Sequence, residues 1–434
     1  MFKLIIKNLW SRRGRNAWLL AELTIVTVLA WIILDPVIVQ LYTLQRPAGY
    51  DIGRLVRVDV MEVSKASPQY LHDEDSSEHH AAAIERIISG IEALPEVESA
   101  VPVLRWATFE SQGMAMSTVN KDDSVSVSTR SIRFAAGTPF FETMGLTAAG
   151  GTSLSTLSGA SDVVISKSLA EALYPGENAA GHYLGDRASD FNPEHGQRIA
   201  GVVDDAIINS SDGRNMIIYE SAPLVNLVHS RPEEMNIVIR LKPAVEPRRF
   251  LAALRPLMAT TLKSGNIKIH NAAYYPDIRD EVRYGSGETD KMRVNTALAV
   301  FFLVNLCLGV IGTFYLQTRK RSRDAGVMRS FGATPGYILR EMLGEGALLT
   351  VIAWLIGCIA YMQYAIKEGL TVMGGFNGAL IADYMPCWTD NFAMHFAVVS
   401  IIIYAIMTAV VCVGIYIPGR RISRVSPVEA LRDE

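Results

Sequence analysis

The sequence predicts an α-helical integral membrane protein with four transmembrane helices, split one and three, and a large mixed α/β extracytoplasmic domain. Two observations carry that prediction. Four apolar segments, 18–41, 296–316, 344–364 and 392–417, have the roughly 20 residues needed to cross about 30 Å of hydrocarbon at 1.5 Å rise per residue. Between the first and second lies residues 42–295, a stretch of mixed polarity long enough for one domain or two small subdomains.

Charge sets the expected orientation. Residues 1–17, 317–342 and 418–434 together hold 15 basic side chains against 5 acidic ones, whereas residues 42–293 hold 25 against 33. The positive-inside rule therefore places both termini and the 317–343 loop in the cytoplasm. The 42–295 domain and the short 365–391 loop face outward. The first span is read as a retained anchor and not a cleaved signal: its apolar stretch is long, it contains Glu22 and Asp35, and no small-residue cleavage site follows. Residues 1–17 read as a cytoplasmic amphipathic helix, with Phe2, Ile5, Ile6, Leu9 and Trp10 along one side and Lys3 and Lys7 on another.

Within the spans, Glu22 and Asp35 are expected near opposite ends, satisfied by snorkelling or water. Asn305 is expected to bond to a neighbouring helix, and Ala353 with Gly357 makes a small-xxx-small step for close helix approach. No chain of ionisable groups crosses the bilayer, which disfavours an ion-coupled carrier.

In the outer domain, Arg54–Val63, Val97–Phe109, Val125–Ala135, Asp162–Ser166, Arg198–Val203, Asn215–Tyr219 and Asn236–Leu241 read as strands from alternation or short apolar runs. Ala81–Leu94 and Pro247–Leu262 read as amphipathic helices, and Ser166 as the N-cap of a short helix carrying Leu169 and Leu173. Gly150–Ser161, poor in bulky apolar residues, reads as a surface loop.

Candidate chemistry is sparse. His72, His79 and His80 lie among Asp73, Glu74, Asp75 and Glu78, but the run lacks a spacing that presets a metal site and reads as a solvated acidic loop. His182 and His195 sit in loop sequence with no catalytic partner set. Cys307, Cys358 and Cys412 fall within spans, and Cys387 has no second external cysteine to pair with. No GxxxxGK[ST] phosphate loop occurs, so neither a metal, a cofactor nor ATP is expected to bind this chain, and no enzymatic activity is expected of it. The juxtamembrane bases are explained by topology and membrane lipid without invoking nucleic acid.

The connection after the second span contains Val327, Met328 and Phe331 at i, i+1 and i+4, with basic residues around them, and Gly332 and Pro335 end the segment. A short helix with an apolar ridge and a charged rim suits a groove on another protein.

These residues also carry a resemblance. Arg323-Asp-Ala-Gly-Val-Met-Arg-Ser-Phe-Gly-Ala-Thr334 resembles the R-E-I-G-x-x-R-A-x-G-A-T pattern of ABC transporter permeases of the MacB/FtsX-like superfamily, the macrolide-exporter, lipoprotein-release and cell-division type. Ile417 to Arg432, with Pro418, Arg420, Arg421, Pro427, Glu429 and Leu431, looks like the closing signature of those permeases. Phe140-Phe-Glu-Thr-Met-Gly145, Asp162 to Gly176 and Gly201-Val-Val-Asp204 are similar to their outer domain. Asp324, Ala325 and Gly419 depart from the usual pattern; Ala325 reduces the apolar area available for docking.

The resemblance implies a permease subunit in a bacterial inner membrane that dimerises with a second copy or a paralogue. It also implies a separate cytoplasmic ABC ATPase, which holds the ATP and Mg, because only 17 residues precede the first span. Arg323, Asp324, Val327, Met328, Arg329 and Phe331 would receive the ATPase stroke, which the spans pass to the outer domain (mechanotransmission). The expected outcome is export or extraction of a substrate, with a periplasmic or outer-membrane partner left open. The alternative is a regulator that activates a periplasmic cell-wall hydrolase or a signalling partner by the same stroke.

Overall fold

The computed structural model describes residues 13–111, 116–122, 125–148, 162–209, 216–229, 231–371, 388–389 and 391–424. Most of the amphipathic 1–17 segment, the Gly150–Ser161 loop, most of the 365–391 loop with Cys387, and Pro427, Glu429 and Leu431 lie outside the described residues. The chain forms two compact units, one built on Thr43–Thr289 and the other on the segments before and after it.

The helical unit contains, among the described residues, four helices long and apolar enough to span a membrane. They are Ala17–Thr43 within the longer helix Arg13–Gln45, Glu288–Arg319, Pro335–Glu368 and Phe392–Ile422. All overrun the apolar segments read from sequence, because polar flanks continue the helical hydrogen bonding outside the apolar stretch. The third begins at Pro335, with Thr334 accepting from the Tyr337 amide at 3.3 Å and Pro335 filling a first-turn position that needs no amide donor.

Glycines set the packing of these helices. A Cβ on Gly357 would stand 2.7 Å from Thr27 Cβ and 3.2 Å from the Thr24 carbonyl, so the first and third spans touch almost backbone to backbone. One on Gly414 would stand 3.1 Å from Ile311 Cα, bringing the fourth span against the second. Ala353, one turn before Gly357, is fully buried. Without a hydrophobic drive between helices in lipid, such close approach is where dispersion contacts accumulate. Trp31, also fully buried, is stacked between Tyr361 (4.7 Å) and Phe396 (4.8 Å).

The outer unit is built on one mixed sheet. Its strands are β1 (Leu55–Glu62), β2 (Val97–Leu104), β3 (Met116–Asp122), β4 (Val125–Ala135), β5 (Asp162–Ser166), β6 (Tyr183–Leu184), β7 (Gln197–Val203), β8 (Ile217–Ala222), β9 (Met235–Leu241), β10 (Lys263–Ser264) and β11 (Ile267–Tyr274). Their order is β10-β11-β1-β9-β2-β4-β8-β5-β7-β6, with β3 hydrogen-bonded to β4. The sequence allows either two subdomains or one domain, and the sheet shows the relation between these options. On one side β10, β11, β1, β9 and β2 run antiparallel, covered by helices Ser77–Glu92 and Pro247–Thr260 over a core of Val58, Ile84, Ile87, Ile91, Ile239 and Leu254. On the other, β4 pairs with β8 and β5 with β7 in parallel, with helix Lys167–Leu173 over Ile165, Leu169 and Leu173.

The two halves meet at β2 and β4 through one registered pair, Val103 and Phe134. A backbone bond from Arg133 to Ala107 adds to it. A third core fills the junction: Phe134 stacks on Phe140 at 4.2 Å, and Phe140 and Phe141 pack against Tyr219. Phe140 and Phe141 come from the short helix Phe140–Met144, which ends on Gly145 at φ +71°. A Cβ on Gly145 would lie 2.8 Å from Asp51 Cβ, so glycine alone fits both the left-handed turn and the space.

Several local expectations change. Strand β11, strand β3 and helix Tyr275–Gly285 add to the elements read from sequence. Ser166 stands at an N-cap position but accepts instead from the Ile217 amide at 2.9 Å, and Asp205 takes over, receiving the Ser168 amide at 2.9 Å. The acidic run is not wholly a solvated loop: helix Ser77–Glu92 starts inside it, capped by Ser76, and buries His80. Asn305 bonds to the Phe301 carbonyl of its own helix at 2.7 Å and not to a neighbour, since it faces outward.

Gly357→Ala is expected to destabilise the protein by about 1–3 kcal/mol through overpacking against Thr27 and the Thr24 carbonyl. Gly312, where a Cβ would meet no atom within 4 Å, should accept alanine with a gain of up to about 1 kcal/mol. Thermal unfolding in detergent checks the pair; equal effects would contradict the packing described.

Candidate functional site

The candidate site begins where the second span ends. Helix Ser322–Ser330 carries Arg323, Asp324, Val327, Met328 and Arg329, and Phe331 caps it by donating its amide to the Val327 carbonyl at 3.3 Å. Gly332 at φ +88° reverses the chain, and the third span starts immediately after.

The ridge expected from Val327, Met328 and Phe331 is divided between two faces. Val327 and Phe331 point outward, Phe331 at 87% exposure. Met328 is half-buried and packs with buried Ala325 on the core of the four helices. Positions 325 and 328 are i and i+3 on one side of the helix, whereas 327 and 331 are i and i+4 on another. Ala325 therefore serves internal packing, and its small size does not thin the outward surface.

The inward face closes on a charged contact. Arg321 is buried, and its guanidinium bonds to Glu345 of the third span. Arg321, Asp324, Ala325, Met328, Ile338 and Glu341 line a crevice there. Such a pair is strongly destabilised if one partner is removed. Arg329 donates to the Arg424 carbonyl at 2.9 Å, tying the same short helix to the end of the fourth span. In the described part of the closing signature, Pro418 and Gly419 are buried while Arg420 and Arg421 are exposed. A Cβ on Gly419 would meet Leu339 at 3.0 Å, so this departure from the pattern matches a close contact with the third span.

At the other end of the helices lies a polar contact that sequence reasoning does not assemble. Asp35 and His395 are both buried, with Oδ1 and Nε2 2.7 Å apart. His395 Nδ1 lies 3.0 Å from the Thr389 carbonyl, which can only accept, so this nitrogen carries a proton. The Thr371 amide donates to the second Asp35 oxygen at 3.2 Å. Asp35 is thus met by protein groups on both oxygens, and Glu22 likewise accepts from Thr313 at 3.0 Å. The sequence signal is present, a histidine and an aspartate each at the end of an apolar helix, but they are 360 residues apart.

In the outer unit one carboxylate gathers both ends of the domain. Glu110, fully buried at φ +50°, accepts from Arg279 Nε at 2.6 Å and from the Tyr50 hydroxyl at 3.0 Å. Tyr50 follows the first span closely in sequence, and Arg279 precedes the second. Burial holds the Glu110 carboxyl above the usual carboxylate range, with Arg279 offsetting part of that penalty. Burial also raises Tyr50, which therefore stays a hydroxyl donor. Separately, a groove of about 490 Å³ opens beside β3, β4 and β6, lined by Trp106, Arg133, Asp190, His195 and Glu220 among others, with Arg133 and Glu220 paired at 2.7 Å. His195 lines that groove, and Cys307, Cys358 and Cys412 lie in the second, third and fourth spans.

Comparison with known proteins matches both units. Residues 40–257 match the family profile of the MacB-like periplasmic core domain, and residues 296–427 that of the FtsX-like permease C-terminal region. A pyoverdine export ATP-binding/permease protein, PvdT, of Pseudomonas syringae pv. tomato is 26% identical over 229 residues, covering 52% of this chain and 30% of PvdT. A macrolide export ATP-binding/permease protein, MacB 2, of Aeromonas hydrophila is 24% identical, covering 55% of this chain and 34% of MacB 2. The ABC transporter permease YknZ of Bacillus subtilis is 27% identical over 127 residues, covering 29% of this chain and 28% of YknZ. The chain thus spans about a third or less of these relatives' lengths. The crystal structure of the periplasmic region of MacB from Actinobacillus actinomycetemcomitans aligns with a TM-score of 0.33 at 14% identity, over 56% of this chain and 98% of that one.

Arg279→Met is expected to cost about 3–5 kcal/mol at neutral pH, because it leaves the Glu110 carboxylate buried and unpaired. With its folded pKa raised above the unfolded value of about 4.3, Glu110 binds a proton more readily in the folded state, so the loss should shrink as pH falls toward that value. Adding Glu110→Gln should recover most of the stability. Thermal unfolding at pH 5 and pH 8 tests the pair, and a loss of equal size at both would refute the assignment.

Proposed function

This chain belongs to the MacB/FtsX-like family of ABC transporter permeases, and from that membership we propose that it couples a separate cytoplasmic ATPase to movement of its outer domain. The observation that carries the proposal is the two-faced helix Ser322–Ser330. Its inner face is fixed to the third and fourth spans by Arg321 on Glu345, by Met328 and Ala325, and by Arg329 on the Arg424 carbonyl. Its outer face presents Val327 and Phe331, two apolar side chains left exposed beside one another at a cost that a docked partner would remove.

In this reading the termini and the 317–343 connection are cytoplasmic, as the charge division indicates. The ATPase, with its ATP and Mg, grips Phe331 and Val327. A push there reaches the spans through short, charge-assisted contacts instead of flexible side chains. The first and second spans then lead by chain continuity to Tyr50 and Arg279, which Glu110 holds together. The spans carry no row of ionisable groups among the described residues, consistent with a substrate that does not travel between them. Apolar residues left exposed along the second span, Phe301, Leu308 and Leu316 among them, supply a surface for lipid or for a second permease copy or paralogue.

Export is preferred over hydrolase activation because two relatives are named for export, of pyoverdine and of macrolides. The outer-domain groove at Trp106 and Arg133 is the surface we assign to cargo or to a periplasmic partner.

Phe331→Asp should leave the protein in the membrane and lower ATPase co-purification by roughly 30-fold, the equivalent of about 2 kcal/mol for a central aromatic anchor. Met328→Asp, by contrast, should impair folding, since Met328 packs inward. Undiminished ATPase capture by the Phe331 variant would remove the docking assignment.

A further inference from the structure

Glu62, Asp75 and His80 come together at the end of β1, although only two of them belong to the acidic and histidine-bearing run. One ligand atom from each lies within 4.8 Å of the others. Glu62 is the last residue of β1 and His80 lies in the first turn of helix Ser77–Glu92. Asp75 belongs to the loop between them, which is tied down from outside: the Asn266 side chain accepts the Leu71 amide and donates to the Leu71 carbonyl, both at 2.8 Å. The cluster is therefore assembled by the fold and not by local sequence.

Acidic side chains gathered at a surface carry little meaning alone. His80 supplies the second observation. It is 6% exposed, its Nε2 has no hydrogen-bond partner among the described residues, and it is directed at Glu62 Oε1, 3.4 Å away. An imidazole nitrogen buried without a partner is costly. In a tetrahedral site with bonds of about 2.0–2.1 Å, neighbouring ligand atoms stand roughly 3.4 Å apart. The His80–Glu62 separation already has that length, and Asp75, within 4.8 Å of both, needs to close by at most roughly 1.4 Å. Two carboxylates and one imidazole suit a borderline divalent ion and leave a fourth position for water.

We propose that Glu62, Asp75 and His80 bind a zinc ion, which ties the first turn of helix Ser77–Glu92 to the end of β1. Lys65 competes for this role. Its ammonium lies 2.7 Å from Asp75, but the side chain is 64% exposed and leaves freely when the metal arrives. Tyr70 donates to Glu62 at 3.0 Å and orients that carboxylate, as the outer partners of metal ligands commonly do.

The test is calorimetric titration of zinc chloride into the chelator-stripped full-length protein in detergent, purified without a histidine tag. The wild type should bind one zinc per chain and gain thermal stability on binding. His80→Gln should weaken binding at least tenfold while keeping its metal-free melting temperature within a few degrees. Lys65→Met should strengthen it about fivefold, because it removes the ammonium that competes for Asp75. His79→Ala should change nothing. Failure of the wild type to bind would show that the cluster is only a polar network of the protein's own side chains. Binding that survives His80→Gln would assign zinc to the exposed histidines. Either result overturns the proposal.

Discussion

A carboxylate withdrawn from water must be met by a donor, and this requirement draws distant parts of the chain together in both units. Glu110 draws Tyr50 and Arg279 to one point, Asp35 draws His395 and the Thr371 amide, and Glu345 draws Arg321. The first two join segments far apart in sequence, the third joins neighbouring helices, and each carries a penalty if its partner is lost. Hydrophobic packing gives these units their bulk. The paired carboxylates select which elements meet, since apolar surfaces alone tolerate sliding and a buried charge does not.

This division of labour explains how much of the molecule is legible from its sequence. The four spans are readable because membrane length and apolarity are local properties. The strands with clear alternation, such as Val125–Ala135, are readable for the same reason. Gly357 with Ala353 is recognisable because small residues one turn apart carry a direct steric meaning. What escapes is non-local. Asp35 gives no sign of whether water or a histidine will satisfy it. Strand β11, with Ile267 and Ile269 buried and Lys268 and His270 exposed, does alternate, but over few residues. Asp205 displaces Ser166 as a cap because a carboxylate brought near by the fold outcompetes the neighbouring hydroxyl.

The candidate site is legible in position and less so in orientation. The sequence marks the helix around residue 327 and names its residues as a group. A spacing of i, i+1 and i+4 does not decide which member faces the protein's own core. Arg321 resolves that question: its bond to Glu345 fixes the rotation of the helix, sends Met328 inward and leaves Phe331 outside. The short Phe-Phe-Glu-Thr-Met-Gly motif shows a related pattern. In the sequence it stands out only through a resemblance, and its physical role is a wedge of two aromatic rings ended by a glycine that no larger residue could replace.

The junction between the halves of the outer sheet has a thermal consequence. Val103 and Phe134 form one registered pair, so the halves are joined mainly by aromatic burial around Phe134, Phe140 and Tyr219 and only slightly by ladder hydrogen bonds. Apolar association weakens on cooling, whereas a hydrogen-bonded ladder has no comparable loss. The outer domain should therefore stiffen between its halves as temperature rises toward the physiological range and soften in the cold. In the cold the junction would then loosen well before the two halves lost their own folds.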